Sequence, residues 1–188
     1  MLFRSYFTID QYRILEFELW YGLDRYGPTE PSFAAALEED LEETGVISVT
    51  TQGEEWGTYV SRFSSGELGA FLLAWRPDYA DPDAYLWPFG HSSQSGNMGI
   101  FYDNPAMAEF LLDGREITPM HSGERQGVYE DAQDLWAGEA PTVPILQGLH
   151  FAVVEKGVQG VKPAPLELLP YFTLCRYKTF VPLVMRSY

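Results

Sequence analysis

The sequence predicts an α/β fold, and three observations in its first half support that class. Residues 14–21 (ILEFELWY) alternate partly, and residues 46–51 (VISVTT) are β-branched, as is typical of strands. Apolar residues between and after these segments recur at helical spacing. The apolar run of residues 70–75 (AFLLAW) is bounded by Gly69 and Pro77 and predicts a third strand. Strand, helix and strand within about thirty residues indicate a βαβ unit and a parallel sheet.

The first helix is predicted to begin near Pro31, after a loop that is rich in glycine and proline. Phe33, Leu37 and Leu41 recur every four residues, and Gly45 stands where a C-terminal cap is expected. The other face carries five carboxylates, the pattern of a solvated surface. These residues are Glu38, Glu39, Asp40, Glu42 and Glu43.

A second helix is predicted after the strand of residues 46–51, and Gly66 is expected to end it. Its apolar residues fall at positions i, i+3, i+4 and i+7, which lie on one helix face. They are Trp56, Tyr59, Val60 and Phe63. The strand of residues 70–75 then completes the βαβ unit. We expect that strand to be buried, parallel to its neighbours and central in the sheet.

Two further helices are predicted in the second half of the chain. Asn104 is expected to cap one of them, with Pro105 at its first position. Residues 123–141 predict the other, with Val128, Ala132, Leu135 and Trp136 on one side. Residues 144–160 indicate one or two short strands and a turn, and residues 169–188 are apolar without a clear period.

Composition excludes several classes of partner. The formal net charge is −15, and the 12 lysines and arginines form no basic run. Neither nucleic acid nor an anionic membrane surface is therefore an expected partner. Cys175 is the single cysteine, so no disulfide forms within the chain. No apolar run reaches the roughly 18 residues of a transmembrane helix, and the first residues lack the pattern of a signal peptide.

Three aspartates, Asp78, Asp81 and Asp83, follow within nine residues of Trp75, the last residue of the predicted third strand. Asp78 lies three residues beyond Trp75, where open α/β sheets bind ligands, although a turn would also use an aspartate there. Asp81 precedes Pro82, and Asp83 follows. This Asp-Pro-Asp order is how helices begin, so we interpret Asp81 and Asp83 as structural.

Neither a metal site nor a cofactor is expected. The segment of residues 78–83 (DYADPD) lacks the glycine and the distant glutamate of a calcium loop. The histidines have no paired spacing for zinc: His91, His121 and His150. A hydrolase that uses Asp78 and Asp83 remains an alternative from a different functional class, because two carboxylates can share one substrate. No nucleophile motif accompanies them.

Two tryptophans lie at the ends of elements in the βαβ unit. Trp56 opens the second helix and Trp75 closes the third strand, so both side chains can border one crevice. Packing in the core is the other interpretation of each tryptophan. An aromatic-walled pocket with one carboxylate suits a ligand that carries an ammonium group. The pattern thus favours a binding protein over an enzyme.

Several segments resemble one known family. Residues 54–86 (EEWGTYVSRFSSGELGAFLLAWRPDYADPDAYL) resemble the C-terminal lobe of the family 5 extracellular solute-binding proteins of ABC importers. This group includes oligopeptide-, dipeptide- and nickel-binding proteins. The resemblance continues through residues 101–116, 124–146, 155–161 and 167–174, and it covers about residues 17–174 in all. Residues 1–13 and 175–188 do not resemble the family.

The resemblance implies a type II periplasmic-binding-protein fold, of which this chain is a fragment. Two lobes of such a protein close on a solute and deliver it to a membrane permease. Residues 1–145 would then form the C-terminal ligand-binding lobe. Residues 146–188 would return to the N-terminal lobe. The full-length protein would be periplasmic or a cell-surface lipoprotein, without insertion of this segment into the membrane.

The resemblance also implies ligand contacts. In peptide-binding members, the residue in the place of Asp78 pairs with the amino terminus of the peptide. Tryptophans in the places of Trp56 and Trp75 wall its side-chain pockets. The loop of residues 91–102 reaches toward the ligand and suggests three more contacts, from Gly96, Asn97 and Tyr102. Nickel chelates and oligosaccharides are alternative ligands, because other members bind them with the same fold.

Overall fold

The computed structural model describes residues 14–147, 153, 155–159 and 175–176. These residues divide into two compact units. The first unit contains residues 14–77 and 81–143, and the second contains residues 78–80 and the described residues from 144 onward. The predicted boundary between residues 145 and 146 stays a prediction.

The first part of the first unit is a parallel sheet with two helices. Its elements are β1 (Leu15–Leu23), α1 (Glu30–Glu42), β2 (Ile47–Glu55), α2 (Trp56–Ser64) and β3 (Ala70–Phe71). The strand order is β2-β1-β3, and both pairings are parallel. The predicted α/β alternation and the parallel pairing are therefore confirmed.

The third strand differs from the prediction in length, in place and in burial, because none of residues 70–75 is buried. Only Ala70 and Phe71 are in the strand, and β1 is the central strand of the three described. After Phe71, the backbone N–H of Leu72 still donates to Trp20 O at 2.8 Å. The Leu72 carbonyl then accepts from the Tyr59 hydroxyl at 2.6 Å. The Leu72 carbonyl therefore bonds to the side chain of Tyr59 rather than to a neighbouring strand, and residues 72–77 lie outside the sheet.

Aromatic residues fill the core between α2 and the sheet. Tyr59, Phe63 and Leu68 are buried there. Phe63 stacks on Phe71 with ring centroids 5.4 Å apart, so the apolar run that follows α2 packs mainly against this helix. The helix ends as predicted, because Gly66 has a φ of +77°, a conformation that favours glycine.

The second part of the first unit is helical. Its helices are α3 (Asp83–Gly90), α4 (Ser92–Ser95), α5 (Pro105–Glu116) and α6 (Gly123–Glu139), with a 3₁₀ turn at Gly96–Met98. The side chain of Asn104 accepts from the N–H groups of Ala106 and Met107, which confirms the predicted cap of α5. Four buried residues form the core of this part: Met107, Leu111, Tyr129 and Ala132.

The buried face of α6 is wider than predicted. Ala132 is buried, and Leu135 and Trp136 pack against the core as expected. Arg125 and Tyr129 are buried as well, with 6% and 2% of their surface exposed. An arginine in a core requires a partner, and the structure supplies one.

The second unit contains β4 (Val158–Gln159) and β5 (Cys175–Arg176), which pair antiparallel. A turn at residues 156–157 precedes β4, as the sequence predicts. The remaining predictions for residues 148–188 lie outside the described residues. Among the helices described, none combines the length and the apolar character that crossing a membrane requires.

Candidate ligand-binding site

Asp81 is held in a buried ion pair. Its side chain receives two hydrogen bonds from Arg125, Nη2 to Oδ1 at 2.8 Å and Nη1 to Oδ2 at 2.9 Å. Oδ1 also accepts from the Asp83 N–H at 2.9 Å, so Asp81 helps to start α3 although Pro82 occupies the cap position. The hydrogen bonds from Arg125 lower the pKa of Asp81. The structural interpretation of Asp81 agrees with these contacts, and its arginine partner was not predicted.

Asp83 is also held by an arginine. Arg115 Nε lies 2.7 Å from Oδ1 of Asp83, and its Nη2 lies 2.9 Å from Oδ2. The Arg115 guanidinium carbon stands 3.1 Å from the centre of the Trp87 ring. Both carboxylate oxygens of Asp83 therefore bind a cation, which does not suit the second carboxylate of a hydrolase.

Asp78 has a different environment. It belongs to the second unit and lies in a bend with its side chain exposed. Along the chain it follows Trp75 by three residues. Its predicted role as the ligand anchor stays a prediction.

Trp75 is half-buried and fixed against α3. Its indole Nε1–H donates to the carbonyl of Ala84 at 2.8 Å. Its ring meets Phe89 edge-on, with centroids 5.3 Å apart. The orientation of the Trp75 indole is thus set by the position of α3.

Trp56 packs against the buried core of α2, as the alternative interpretation expects, and also meets residues of the loop that follows β1. Tyr26 meets its ring edge-on at 5.9 Å between centroids. The guanidinium of Arg25, an exposed residue, lies 4.9 Å from the centre of the Trp56 ring, within the range of a cation–π contact. The Tyr26 hydroxyl also donates to the backbone carbonyl of Ala74, next to Trp75, at 3.2 Å. Tyr26 therefore links the surroundings of the two tryptophans.

Arg25 and Tyr26 were not predicted from the sequence. They follow the carboxyl end of β1, as Trp56 follows β2 and Trp75 follows β3. Because the three strands are parallel, these ends meet at one edge of the sheet. Both residues lie in the loop directly after the first predicted strand, and this position alone would have placed them at the ligand-binding edge of the sheet.

The three residues suggested in the loop of residues 91–102 have mixed surroundings. Gly96 and Asn97 lie in the 3₁₀ turn, and the Asn97 amide bonds to Gln94 at 3.3 Å. The Tyr102 hydroxyl donates to Glu139, and its ring meets Trp136 at 5.2 Å. Burial raises the pKa of Tyr102, as does the carboxylate of Glu139. Their ligand contacts stay predictions, and the contacts of Tyr102 are those of a structural residue.

The structure describes no group of three or more histidine, cysteine, aspartate or glutamate side chains, among residues 14–147 and the short segments beyond, that could hold a metal ion. The candidate site therefore consists of three aromatic side chains and one cation. The aromatic residues are Tyr26, Trp56 and Trp75, and the cation is Arg25.

The chain matches known proteins in sequence. Residues 6–97 match the model of the bacterial extracellular solute-binding proteins, family 5 Middle. The match begins at residue 6. Residues 6–13 therefore belong to the matched region, although the motifs predicted that residues 1–13 do not resemble the family. A probable di/tripeptide-binding protein 5 of Pseudomonas aeruginosa is 32% identical over 138 residues, 72% of this chain and 26% of that protein. Heme-binding protein A of Haemophilus influenzae is 32% identical over 111 residues, 59% of this chain and 20% of that protein.

A solved structure shares the fold. The dipeptide-binding protein of Pseudoalteromonas sp. SM9913, in complex with Met-Leu, aligns with a TM-score of 0.69 at 23% identity. The alignment covers 88% of this chain and 33% of that protein. The predicted α/β class of a type II periplasmic binding protein is confirmed. The chain spans about a quarter of the length of the curated relatives that it matches.

Proposed function

The chain belongs to the family 5 bacterial extracellular solute-binding proteins, and on this basis we propose that it forms one wall of a peptide-binding cleft. One observation carries the proposal. An aromatic side chain follows each of three adjacent parallel strands, namely Tyr26, Trp56 and Trp75. The carboxyl ends of such strands are where open α/β sheets bind ligands. Aromatic rings there can accept side chains of different sizes.

Each candidate residue has a role in this proposal. Trp56 and Trp75 contact the side chains of the peptide, and Asp78 accepts hydrogen bonds from its ammonium group. Arg25, an exposed residue, places a positive charge over the Trp56 ring, where it suits an anionic group of the ligand. Gly96, Asn97 and Tyr102 belong to the loop beside the ligand. The name of the di/tripeptide-binding relative supports a peptide as the ligand.

The proposed partner is an ABC permease, and the proposed location is outside the cytoplasmic membrane, in the periplasm or at the cell surface. The chain is not an enzyme, since its family and its relatives are binding proteins. These relatives favour the binding role over the hydrolase alternative with Asp78 and Asp83.

Heme is a second candidate ligand, because a relative of 32% identity is named a heme-binding protein. Flat aromatic rings such as Trp56 would stack on a macrocycle as well as on a peptide side chain. A titration that follows the absorbance of heme would detect this ligand.

The test uses the natural full-length polypeptide that carries this chain. Native mass spectrometry of the purified protein should show a bound mass that fragments as a short peptide. Calorimetry with dipeptides and tripeptides should then give a higher affinity for a free amino terminus than for the acetylated form. Tight binding of heme with no binding of any peptide would reject the peptide proposal.

A further inference from the structure

We infer that Arg125 is a positioning residue for the indole of Trp75, acting through Asp81 and the first turn of α3. The inference rests on the proposed function, in which Trp75 forms part of the ligand site. Arg125 touches neither Trp75 nor a ligand in this scheme, and it acts through three steps of direct contact.

The first step joins Trp75 to α3. The indole N–H has the carbonyl of Ala84 as its acceptor, and Phe89 on the same helix supports the ring. Ala84 is the second residue of α3 and has 4% of its surface exposed. Any rotation or shift of the first turn of α3 therefore moves the acceptor of the Trp75 hydrogen bond.

The second step joins this turn to Asp81. The N–H of Asp83 donates to the Asp81 side chain, and the N–H of Ala84 donates to the Asp81 carbonyl at 3.1 Å. Asp83 itself is paired with Arg115 of α5. Two arginines, from α5 and α6, thus hold the start of α3 through two neighbouring carboxylates.

The third step fixes Arg125. Nη1 donates to Asp81 and to the carbonyl of Met120, Nη2 donates to Asp81 and to the hydroxyl of Tyr129, and Nε donates to the carbonyl of Gly114. These five contacts use the five N–H donors of a guanidinium. The group has a single orientation as a result, and Asp81 has a fixed partner.

The choice of a charged pair suggests a role beyond stability. A buried ion pair loses the hydration of both charges, and apolar residues of similar volume often serve stability equally well. The planar fork of arginine adds direction, because each carboxylate oxygen meets its own nitrogen. Such a fixed orientation of Asp81 would keep the first turn of α3 in place, so that the Ala84 carbonyl stays aligned with the Trp75 indole.

The first experiment measures the Trp75 indole directly, without any ligand. The chain has five tryptophans, and ¹⁵N labelling gives each indole N–H its own signal. Trp75→Phe assigns the signal of Trp75. In Arg125→Lys, which keeps the charge and loses the fork, we expect this signal to move upfield as the bond to Ala84 weakens.

Arg62→Lys is the matched control. Arg62 pairs with Glu54 and Glu67 and stands 4.1 Å from the Trp20 ring centre. It should move the Trp20 signal and leave that of Trp75 in place. An unmoved Trp75 signal in folded Arg125→Lys would overturn the inference. If Arg125→Lys does not fold, Tyr129→Phe removes one acceptor of the Arg125 guanidinium and should move the Trp75 signal upfield by a smaller amount, and an unmoved signal would again overturn the inference.

The second experiment measures binding in the natural full-length polypeptide. Arg125→Lys should weaken peptide binding by about three- to tenfold, the size of one aromatic contact. The same change in a Trp75→Phe background should have no further effect. Equal losses in both backgrounds would show that Arg125 does not act through Trp75. If the wild type binds no peptide, the proposed function fails, while the indole signal still tests the positioning role.

Discussion

At the scale of single residues, three aspartates within a stretch of six residues differ in their surroundings. Asp78 is exposed, while Asp81 and Asp83 are buried and each is paired with an arginine. A carboxylate paired in this way already has both oxygens bonded to an arginine, which leaves it less suited to bind an ammonium ligand. Asp78, the exposed one of the three, is the residue that we propose as the ligand anchor.

Asp81→Asn should destabilise the protein strongly. The substitution keeps the shape of the side chain and leaves the buried cation of Arg125 opposite a neutral amide. Removing one member of a buried pair costs about 3–5 kcal/mol. Chemical denaturation at neutral pH should show this loss in the free energy of unfolding. A loss below about 1 kcal/mol would show that the pair is solvated.

The effect of Asp81→Asn should depend on pH. The pKa of Asp81 is lowered in the folded protein from its usual 3.8, so the folded state favours the carboxylate. Its contribution to stability is complete above the usual pKa and is lost as the pH falls through the lowered one. The difference in unfolding free energy between wild type and Asp81→Asn should therefore shrink below about pH 4. A difference that stays constant down to pH 2 would contradict the pairing.

Asp78→Asn should have the opposite profile. An exposed substitution away from structural contacts changes stability by about 0.5 kcal/mol or less. If Asp78 binds the ammonium group, the loss of charge should weaken peptide binding by about ten- to a hundredfold. Calorimetry on the natural full-length polypeptide measures the affinity, and a thermal melt measures stability. Unchanged affinity for a peptide with a free amino terminus would exclude the anchor role.

The sequence predicted these residues unequally, for a physical reason. The start of α3 after Asp81 and Pro82 is visible because caps depend on neighbouring residues. Arg125 lies 44 positions from Asp81, and no local pattern announces a contact over that separation. Arg25 was missed because a charged loop residue is usually solvated, and only its approach to Trp56 marks it.

At the scale of elements, α5 and α6 pack closely at one glycine. A Cβ atom on Gly114 would lie 2.7 Å from two ring carbons of Tyr129. Glycine at this position therefore lets the two helices approach. The same residue offers its carbonyl to Arg125, so the close approach and the buried ion pair depend on each other.

Gly114→Ala should separate the two helices and lower the free energy of unfolding by about 1–3 kcal/mol. Gly127→Ala in α6 is the matched control, because a Cβ atom there meets nothing within 4 Å. That control should raise stability by about 0.5–1 kcal/mol, as alanine favours a helix more than glycine does. Thermal denaturation of both variants provides the comparison. Equal stability of the two variants would contradict the close packing.

The elements also show the limits of local patterns. Asn104 with Pro105 and the terminating Gly66 located helix ends, since these signals are local. Strand order is not local, and the middle place belongs to β1 because both β2 and β3 pair with it. Just after β3, the Leu72 carbonyl accepts from the Tyr59 hydroxyl, a contact that no count of apolar residues in 70–75 reveals.

At the scale of the whole molecule, the chain changes character after the first unit. Residues 143–147 have no helix or strand, and Val143 and Leu146 are 73% and 68% exposed. Limited proteolysis with chymotrypsin should therefore cut first after Leu146. Mass spectrometry should then find the helices of the first unit in one resistant fragment. A first cut between residues 15 and 139 would contradict the division into two units.

The strand order has a consequence for synthesis on the ribosome. The central strand β1 is made before both of its partners, and its first pair joins Leu15 to Ile47. About thirty residues must therefore emerge before pairing can begin, which takes about 2–6 seconds at roughly 5–20 residues per second. During that time β1 has two open edges and apolar side chains such as Leu19 and Trp20, so nascent β1 is a natural binding site for a chaperone.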